Sequence, residues 1–297
     1  MTPGVSVCVC TMNRPEELER CLEALSRSSI APLEIIVSDD SREELSGTIH
    51  GIAERFPRVR YVRGPRRGVS ANRNNTVRHA SGALVTFVDD DVLVGPDYLQ
   101  RGVEEHALAL AARPDGRYIL TGSPTVAGRL TPPANLSFLG FYNRPLMPGG
   151  RLNALCMSCV FFPRRFFEQA AFDENIFYGT EERDIGLQAV ELGYEILYSP
   201  RLTIDHQPSE INRDLYDPVI DMARFYFGLK RYWVYERSPL KFAAYNVYAL
   251  LNGVGSRLKR GRGSEALRLI GSFLEAWRRF GAMVLRSRSG GLIKAAR

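Results

Sequence analysis

The chain has 297 residues, 45% of them hydrophobic and 24% charged, with 39 Lys and Arg against 33 Asp and Glu. Those proportions exclude disordered and fibrous classes, and a chain this long forms a core without disulfides or a structural metal. Five irregularly spaced cysteines (Cys8, Cys10, Cys21, Cys156 and Cys159) argue against a disulfide framework and for a reducing compartment, the cytoplasm. In chain order, Val5 to Cys10 is a nearly continuous apolar run suited to a buried strand. Asn13-Arg14-Pro15-Glu16-Glu17 then opens a helix, with a capping Asn, a first-turn Pro and acids that complement the dipole; Leu18, Cys21, Leu22 and Leu25 mark its buried face. Leu33 to Ser38 and Val59 to Val62 are further strands, the former ending at Asp39-Asp40. A basic Gly/Pro loop from Arg63 to Gly68 leads into a short helix from Ser70 to Arg78, and Ala83 to Val88 is a central strand that stops at Asp89-Asp90-Asp91.

A helix of about four turns follows Pro96. Tyr118 to Gly122 is the next strand, and residues 123–152, with five prolines, read as a long irregular loop. Ser158 to Phe162 is a strand and Glu182 to Leu192 a helix; Glu195 to Tyr198 and Thr203 to Asp205 are strands, the latter ending at His206. Helical pattern continues to the end. Alternating strands and helices predict an α/β, mixed and mostly parallel sheet flanked by helices, with a helical C-terminal appendage. Phe242 to Val254 is the longest apolar run, interrupted by Asn246 and Asn252, and is too short to span a bilayer. The first residues carry no basic-then-apolar secretory pattern.

The candidate chemistry lies at strand ends. In open α/β sheets the ligand crevice lies outside the carboxyl ends of the strands. Three carboxylates crowded there repel each other, which a divalent cation relieves, and the first and third can converge on one ion. Oxygen ligands completed by phosphates suit Mg²⁺ or Mn²⁺. Without the preceding strand the triplet would read as a solvated turn. Asp39-Asp40 ends a neighbouring strand and offers acceptors to a base or ribose, although Asp is also an ordinary turn residue. Tyr178-Gly179-Thr180-Glu181-Glu182-Arg183-Asp184 enters a helix with acids that either cap it or face the crevice. His206 is a lone histidine, a structural residue or a ligand. Cys156-Met157-Ser158-Cys159 lacks a second Cys or His pair at metal spacing and is read as structural.

Together these segments resemble the family 2 glycosyltransferases of GT-A fold. The matching elements run in family order over about residues 4–210: Val7-Cys8-Val9-Cys10-Thr11-Met12-Asn13-Arg14, Ile36-Val37-Ser38-Asp39-Asp40-Ser41, Ala71-Asn72-Arg73-Asn74 and Phe87-Val88-Asp89-Asp90-Asp91. Phe172-Asp173-Glu174, Thr180-Glu181-Glu182-Arg183-Asp184-Ile185-Gly186-Leu187 and His206 follow. The resemblance implies an inverting transfer of a sugar from a nucleotide-diphosphate donor to an acceptor hydroxyl, with Mn²⁺ or Mg²⁺, in polysaccharide or glycoconjugate synthesis. It implies that Thr11, Asn13, Arg14, Asp40, Arg73, Asp89 and Asp90 hold the nucleotide sugar. Asp89, Asp91 and His206 would hold the metal. Glu182 takes the general-base position, with Glu181 and Asp184 towards a saccharide or lipid-linked acceptor. Met12, Ser41-Arg42 and Glu182 depart from the commoner aromatic, Gly-Ser and Asp. The expected organisation is a catalytic domain over residues 1–210, its nucleotide-binding part about 1–95 and its acceptor part about 96–210, then a basic helical region over 211–297. A sugar-nucleotide nucleotidyltransferase would instead show a Gly-rich loop after the first strand, and Thr11 to Glu17 has no glycine. A non-catalytic carbohydrate-binding protein would not need the acidic set.

The charge is unevenly placed. Residues 257–297 hold 11 Lys and Arg against Glu265 and Glu275, a net +9, so residues 1–256 sum to −3. Leu267, Ile270, Phe273, Leu274, Trp277, Gly281 and Val284 form a stripe at helical spacing in this tail. Such a basic amphipathic helix either packs on the catalytic domain or lies on an anionic membrane surface, peripherally on the inner face of the cytoplasmic membrane. Nucleic acid is not expected, because basic and stacking aromatic residues do not interleave.

Overall fold

A computed structural model describes residues 3–146, 150–209, 211 and 213–289, without side chains at 213–215, 217, 218 and 287–289. Residues 290–297, including Lys294 and Arg297 of the basic tail, lie outside the described residues. Strands β1 (Val5–Thr11), β2 (Glu34–Asp39), β3 (Val59–Arg63), β4 (Leu84–Phe87), β5 (Val92–Val94), β6 (Tyr118–Val126), β7 (Arg129–Leu130), β10 (Val160–Pro163) and β11 (Glu195–His206) form a nine-stranded sheet. Its order is β3-β2-β1-β4-β10-β6-β11-β5, with β7 on β6. The pairs β3-β2, β2-β1, β1-β4 and β6-β11 are parallel; those made by β10, β5 and β7 are antiparallel. The expected mixed, mostly parallel sheet is the observed one.

Period-two alternation divides the core. Val5, Val7 and Val9 of β1 pack with α1 (Pro15–Ser26), α2 (Glu43–Glu54) and α4 (Tyr98–Ala112) on one face. Cys8, Ile36, Val85 and Phe87 pack on the other with α5 (Glu181–Glu191) and the aromatic group Phe162, Phe166 and Phe172, beside α3 (Val69–His79). All five cysteines are free thiols, and burial pushes Cys156 up to about 12.

Several elements differ from the sequence-based reading. Helix α2 and the short strand β5 are additional. Residues 123–152 are not simply irregular: β6 continues to Val126, β7 turns back on it, and β8 (Ala134–Leu136) pairs with β9 (Tyr142–Pro145). The two strands expected before His206 are one, β11, whose register on β6 shifts between Tyr198 and Thr203.

Helices α6 (Arg213–Lys230), α7 (Pro239–Lys259) and α8 (Gly263–Ser289) share a third cluster built on Met222, Tyr226, Tyr245, Leu269 and Phe280. Gly228 permits the close approach, since a Cβ there would collide with the Tyr245 ring. Ile176 and Phe138 join this cluster and tie it to the sheet domain. The tail therefore packs, through Ala266, Leu269, Ala276 and Phe280 together with Phe273, Trp277 and Val284 of the expected stripe. Of that stripe, Leu267 and Leu274 are 72% and 63% exposed. No helix among the described residues is long and apolar enough to cross a membrane.

Candidate active site

A cavity of about 670 Å³ opens at the carboxyl ends of β1, β2 and β4. Its floor at one end is the β4–β5 turn. Asp90 is 4% exposed; Thr11 donates to it at 2.8 Å and Arg14 at 3.0 Å. Burial raises its pKa to about 7 against the pull of Arg14. Asp91 accepts from Arg14 at 3.4 Å and lies 3.4 Å from His206 Nε2. Burial alone would raise Asp91, but His206 and Arg14 overcome it and hold it below its usual range; the hydrogen bond that His206 donates to Asp91 raises the imidazole in turn. Asp89 faces the other way and accepts from Arg73 Nη2 at 3.0 Å. Because 89–91 is a turn rather than extended strand, the three carboxylates do not point together, and no group of three or more His, Cys, Asp or Glu among the described residues is arranged as a metal site.

Arg73 is 4% exposed and links the two ends of the cavity, donating to Asp89 and, through Nη1, to Glu181 at 2.8 Å. Asp40 lines the wall beside β2 and accepts from the Arg66 amide at 2.9 Å; burial raises its pKa. A side chain at Gly64 would collide with that carboxylate and with Asn72, so the basic loop needs glycine there. Asn13 does not line the cavity. Its backbone, at φ 58°, donates to Ser41 Oγ, and its side chain accepts from the Arg42 amide, so it staples the β1–α1 and β2–α2 loops from behind.

At the opposite end stands Glu182, in the first turn of α5, facing the cavity with Tyr142 and Cys156. Burial raises its pKa, and the charge of Glu181 adds to the shift. Glu181 also reaches the cavity, but its two oxygens are occupied by Arg73 and by the Gly179 amide at 2.7 Å. Asp184 is not brought to the cavity. It is 1% exposed and is held by Lys230 at 2.8 Å, Tyr235 at 2.7 Å and Gln188 at 2.9 Å, on the far side of the helix.

The family model for glycosyl transferase family 2 matches residues 6–169, more than half of the chain. The chain belongs to glycosyl transferase family 2. Among curated relatives of this family-2 chain, an uncharacterized glycosyltransferase, EpsJ, of Bacillus subtilis is 34% identical over 106 residues, 35% of this chain and 31% of that one. A GalNAc(5)-diNAcBac-PP-undecaprenol beta-1,3-glucosyltransferase of Campylobacter jejuni is 36% identical over 92 residues, 30% of each chain. The alignments thus span about a third of those relatives' length. The mannosyltransferase PcManGT from Pyrobaculum calidifontis, in complex with GDP-Man and Mn²⁺, superposes with a TM-score of 0.58 at 18% identity, over 93% of this chain and 88% of that one. S. aureus TarS 1-349 in complex with UDP gives 0.58 at 16%, over 98% and 86%. These likenesses establish the GT-A fold.

Three aromatic residues of the cavity were given no role in the sequence reading. Tyr178 and Tyr216 stack at 3.8 Å and 6° at the cavity edge, and the Tyr142 hydroxyl is buried beside Glu182 and Arg183. Tyr178 stood in the motif ahead of α5. Tyr142 and Tyr216 carried no local signal, because a strand pairing and a C-terminal helix bring them in.

Proposed function

We propose that the chain transfers a sugar from a nucleotide-diphosphate donor to an acceptor hydroxyl with inversion at the anomeric carbon. The observation that carries this reading is one cavity with two unlike ends: acids interleaved with Arg14, Arg73 and His206 at one, and a desolvated carboxylate, Glu182, at the other. Asp40 and Thr11 sit where a base and ribose would lie at the strand ends, with Asn13 fixing the loops behind them. Arg14, Arg73 and Asp90 border the diphosphate space. A hard divalent ion, Mn²⁺ or Mg²⁺, would be held by Asp91 and the adjacent His206, with Asp89 reaching it from across the turn and phosphate oxygens completing the shell. When bound, such an ion neutralises charge on the departing nucleoside diphosphate. Glu182 takes the acceptor O–H proton as that oxygen bonds to the anomeric carbon. The carbon–oxygen bond to the diphosphate breaks on the opposite face, its electron pair going to the phosphate oxygen. Glu181, held by Arg73, couples the two ends.

Titration calorimetry with UDP, TDP and GDP, with and without Mn²⁺, tests donor binding. Wild-type binding of at least one diphosphate should tighten with Mn²⁺, and in Asp91→Ala it should become insensitive to the metal. A variant that keeps wild-type metal dependence would remove Asp91 from the site.

We also propose that the C-terminal hairpin attaches the enzyme peripherally to an anionic membrane, the inner face of the cytoplasmic membrane, where a lipid-linked saccharide acceptor would reside. Leu240, Val247 and Leu251 of α7 and Leu267, Leu274 and Leu285 of α8 are 61–82% exposed. Arg260, Arg262, Arg268 and Arg278 are exposed on the same hairpin. Each basic residue near an anionic surface contributes about 1 kcal/mol. In vesicle flotation the protein should float with phosphatidylglycerol-containing vesicles and not with phosphatidylcholine alone. Equal flotation with both, or with neither, would remove the idea.

A further inference from the structure

Arginines outnumber carboxylates beside Glu182: Arg183, Arg224 and Arg257 have only Glu182 itself and Asp221 near them among the described residues. Arg183 follows Glu182 on α5, and its guanidinium carbon lies 4.8 Å from the centre of the Tyr142 ring, which lines the cavity. Arg224 of α6 stands 5.5 Å over the ring of Phe141. Because Phe141 and Tyr142 are consecutive, the two guanidinium groups cover neighbouring rings, of which Tyr142 lines the cavity. The Nε atoms of both are buried and have no hydrogen-bond partner. Among the described residues Arg183 has no ion pair. Asp221 is 3.6 Å from Arg224, and Arg257 of α7 already holds it at 2.5 Å.

Like charges held this close repel, and the aromatic faces fix where the guanidinium groups stand without neutralising them. Burial lowers the pKa of Arg224; Asp221 opposes this, while Arg183 and Arg257 push it lower still. An oxyanion with several acceptor oxygens relieves such an arrangement, and planar guanidinium groups meet phosphate oxygens in paired hydrogen bonds. The donor diphosphate does not need this edge, because Arg14 and Arg73 stand at the other end of the cavity.

We propose that Arg183 and Arg224 form an anion site for the acceptor, binding a phosphate or diphosphate that the acceptor carries while Glu182 receives its hydroxyl. This rests on the glycosyltransferase reading above. A phosphate of this kind is borne either by a sugar phosphate or by a lipid-linked saccharide. The site lies against α7, the helix that carries the exposed Val247 and Leu251, through Arg257 and the contact of Phe138 with Tyr248.

The test uses the full chain with a nucleoside diphosphate and Mn²⁺ at saturation, so that the donor end is filled. Calorimetry then compares citronellyl phosphate, glucose 6-phosphate and neutral methyl glucoside. At least one phosphate should bind more tightly than methyl glucoside. Arg183→Gln with Arg224→Gln should weaken that binding about 10–100-fold, the worth of a charge-assisted contact, and Arg183→Lys with Arg224→Lys should restore part of it. Binding of citronellyl phosphate alone assigns a lipid-borne phosphate, and binding of glucose 6-phosphate alone a sugar phosphate. Should the double Gln variant fail to fold, Arg224→Gln alone, at a side chain 42% exposed, makes the same comparison. Phosphates that bind no better than methyl glucoside, or that bind the Gln variants as they bind wild type, overturn the proposal. Nucleoside diphosphate binding in the same titrations separates this from the parent reading, which fails only if wild type does not bind the diphosphate.

Discussion

Exchanging Glu182 for Gln is expected to lower sugar transfer by roughly 10²–10⁴-fold while nucleotide diphosphate binding persists. A sugar hydroxyl is a poor nucleophile until its proton is taken, and Gln keeps the shape of Glu182 while removing its basicity. Glu181 is the rival one residue away. Its oxygens already hold Arg73 and the Gly179 amide, so Glu181→Gln should disturb the link to the donor end and weaken diphosphate binding. The pH profile gives a second readout. A base works when deprotonated, and burial raises the pKa of Glu182, so the acid limb of wild-type activity should lie above the usual carboxylate range and vanish in the variant. Stability supplies the control. A carboxyl whose pKa is raised by folding costs stability once pH exceeds that pKa, so Glu182→Gln should melt no lower than wild type near pH 7. Near-normal transfer by Glu182→Gln would sink the assignment, and loss of donor binding would mark the residue as structural.

What could be read from the sequence was what local pattern encodes. The run Val5 to Cys10 announced a strand buried on both faces, and acids directly after two strands announced the crevice, because strand direction alone decides where those side chains emerge. Helix α2 escaped because Gly47 and Gly51 interrupt the spacing of Leu45, Ile49 and Ile52. The β8–β9 pair escaped because five prolines dominate residues 123–152, while the pairing itself joins partners six to eleven residues apart across an irregular register. Asp184 was grouped with Glu182 by sequence proximity. On a helix two residues subtend about 200°, so one that faces the cavity turns the other into the packing against α6. The stripe on α8 was correctly seen as apolar, but a helix with two apolar faces does not say which one packs. Tertiary contacts with Gly253 and Asn246 of α7 settle that, placing Leu269 inside and leaving Trp277 37% exposed.

The same turn of α5 carries the largest stability prediction. Lys230 reaches from α6 with its Nζ 2.8 Å from both Asp173 and Asp184, and it is 8% exposed. Tyr226 donates to Asp173 at 2.8 Å and Tyr235 to Asp184 at 2.7 Å, so each carboxylate keeps neutral partners if the lysine goes but loses its counter-charge. Breaking a buried pair from one side typically costs about 3–5 kcal/mol, because the remaining charge is stranded. Lys230→Met is therefore expected to lose about that much in urea denaturation at pH 7. The pH dependence follows from the sign of each shift. Burial opposes ionisation of Asp173, but Lys230 holds it from 3.8 down to about 2, so its contribution is present above pH 4 and disappears as pH falls from about 4 towards 2. Lys230 is raised despite its burial, by Asp184 first, so its contribution is present below the ordinary lysine range and is lost only at more alkaline pH. The gap between wild type and Lys230→Met should thus be widest near neutrality and narrow at pH 3. Adding Asp173→Asn and Asp184→Asn to Lys230→Met removes the stranded charges and should recover part of the loss. A gap that stays constant from pH 7 to pH 3, with no recovery in the triple variant, would mean that Lys230 contributes packing rather than charge.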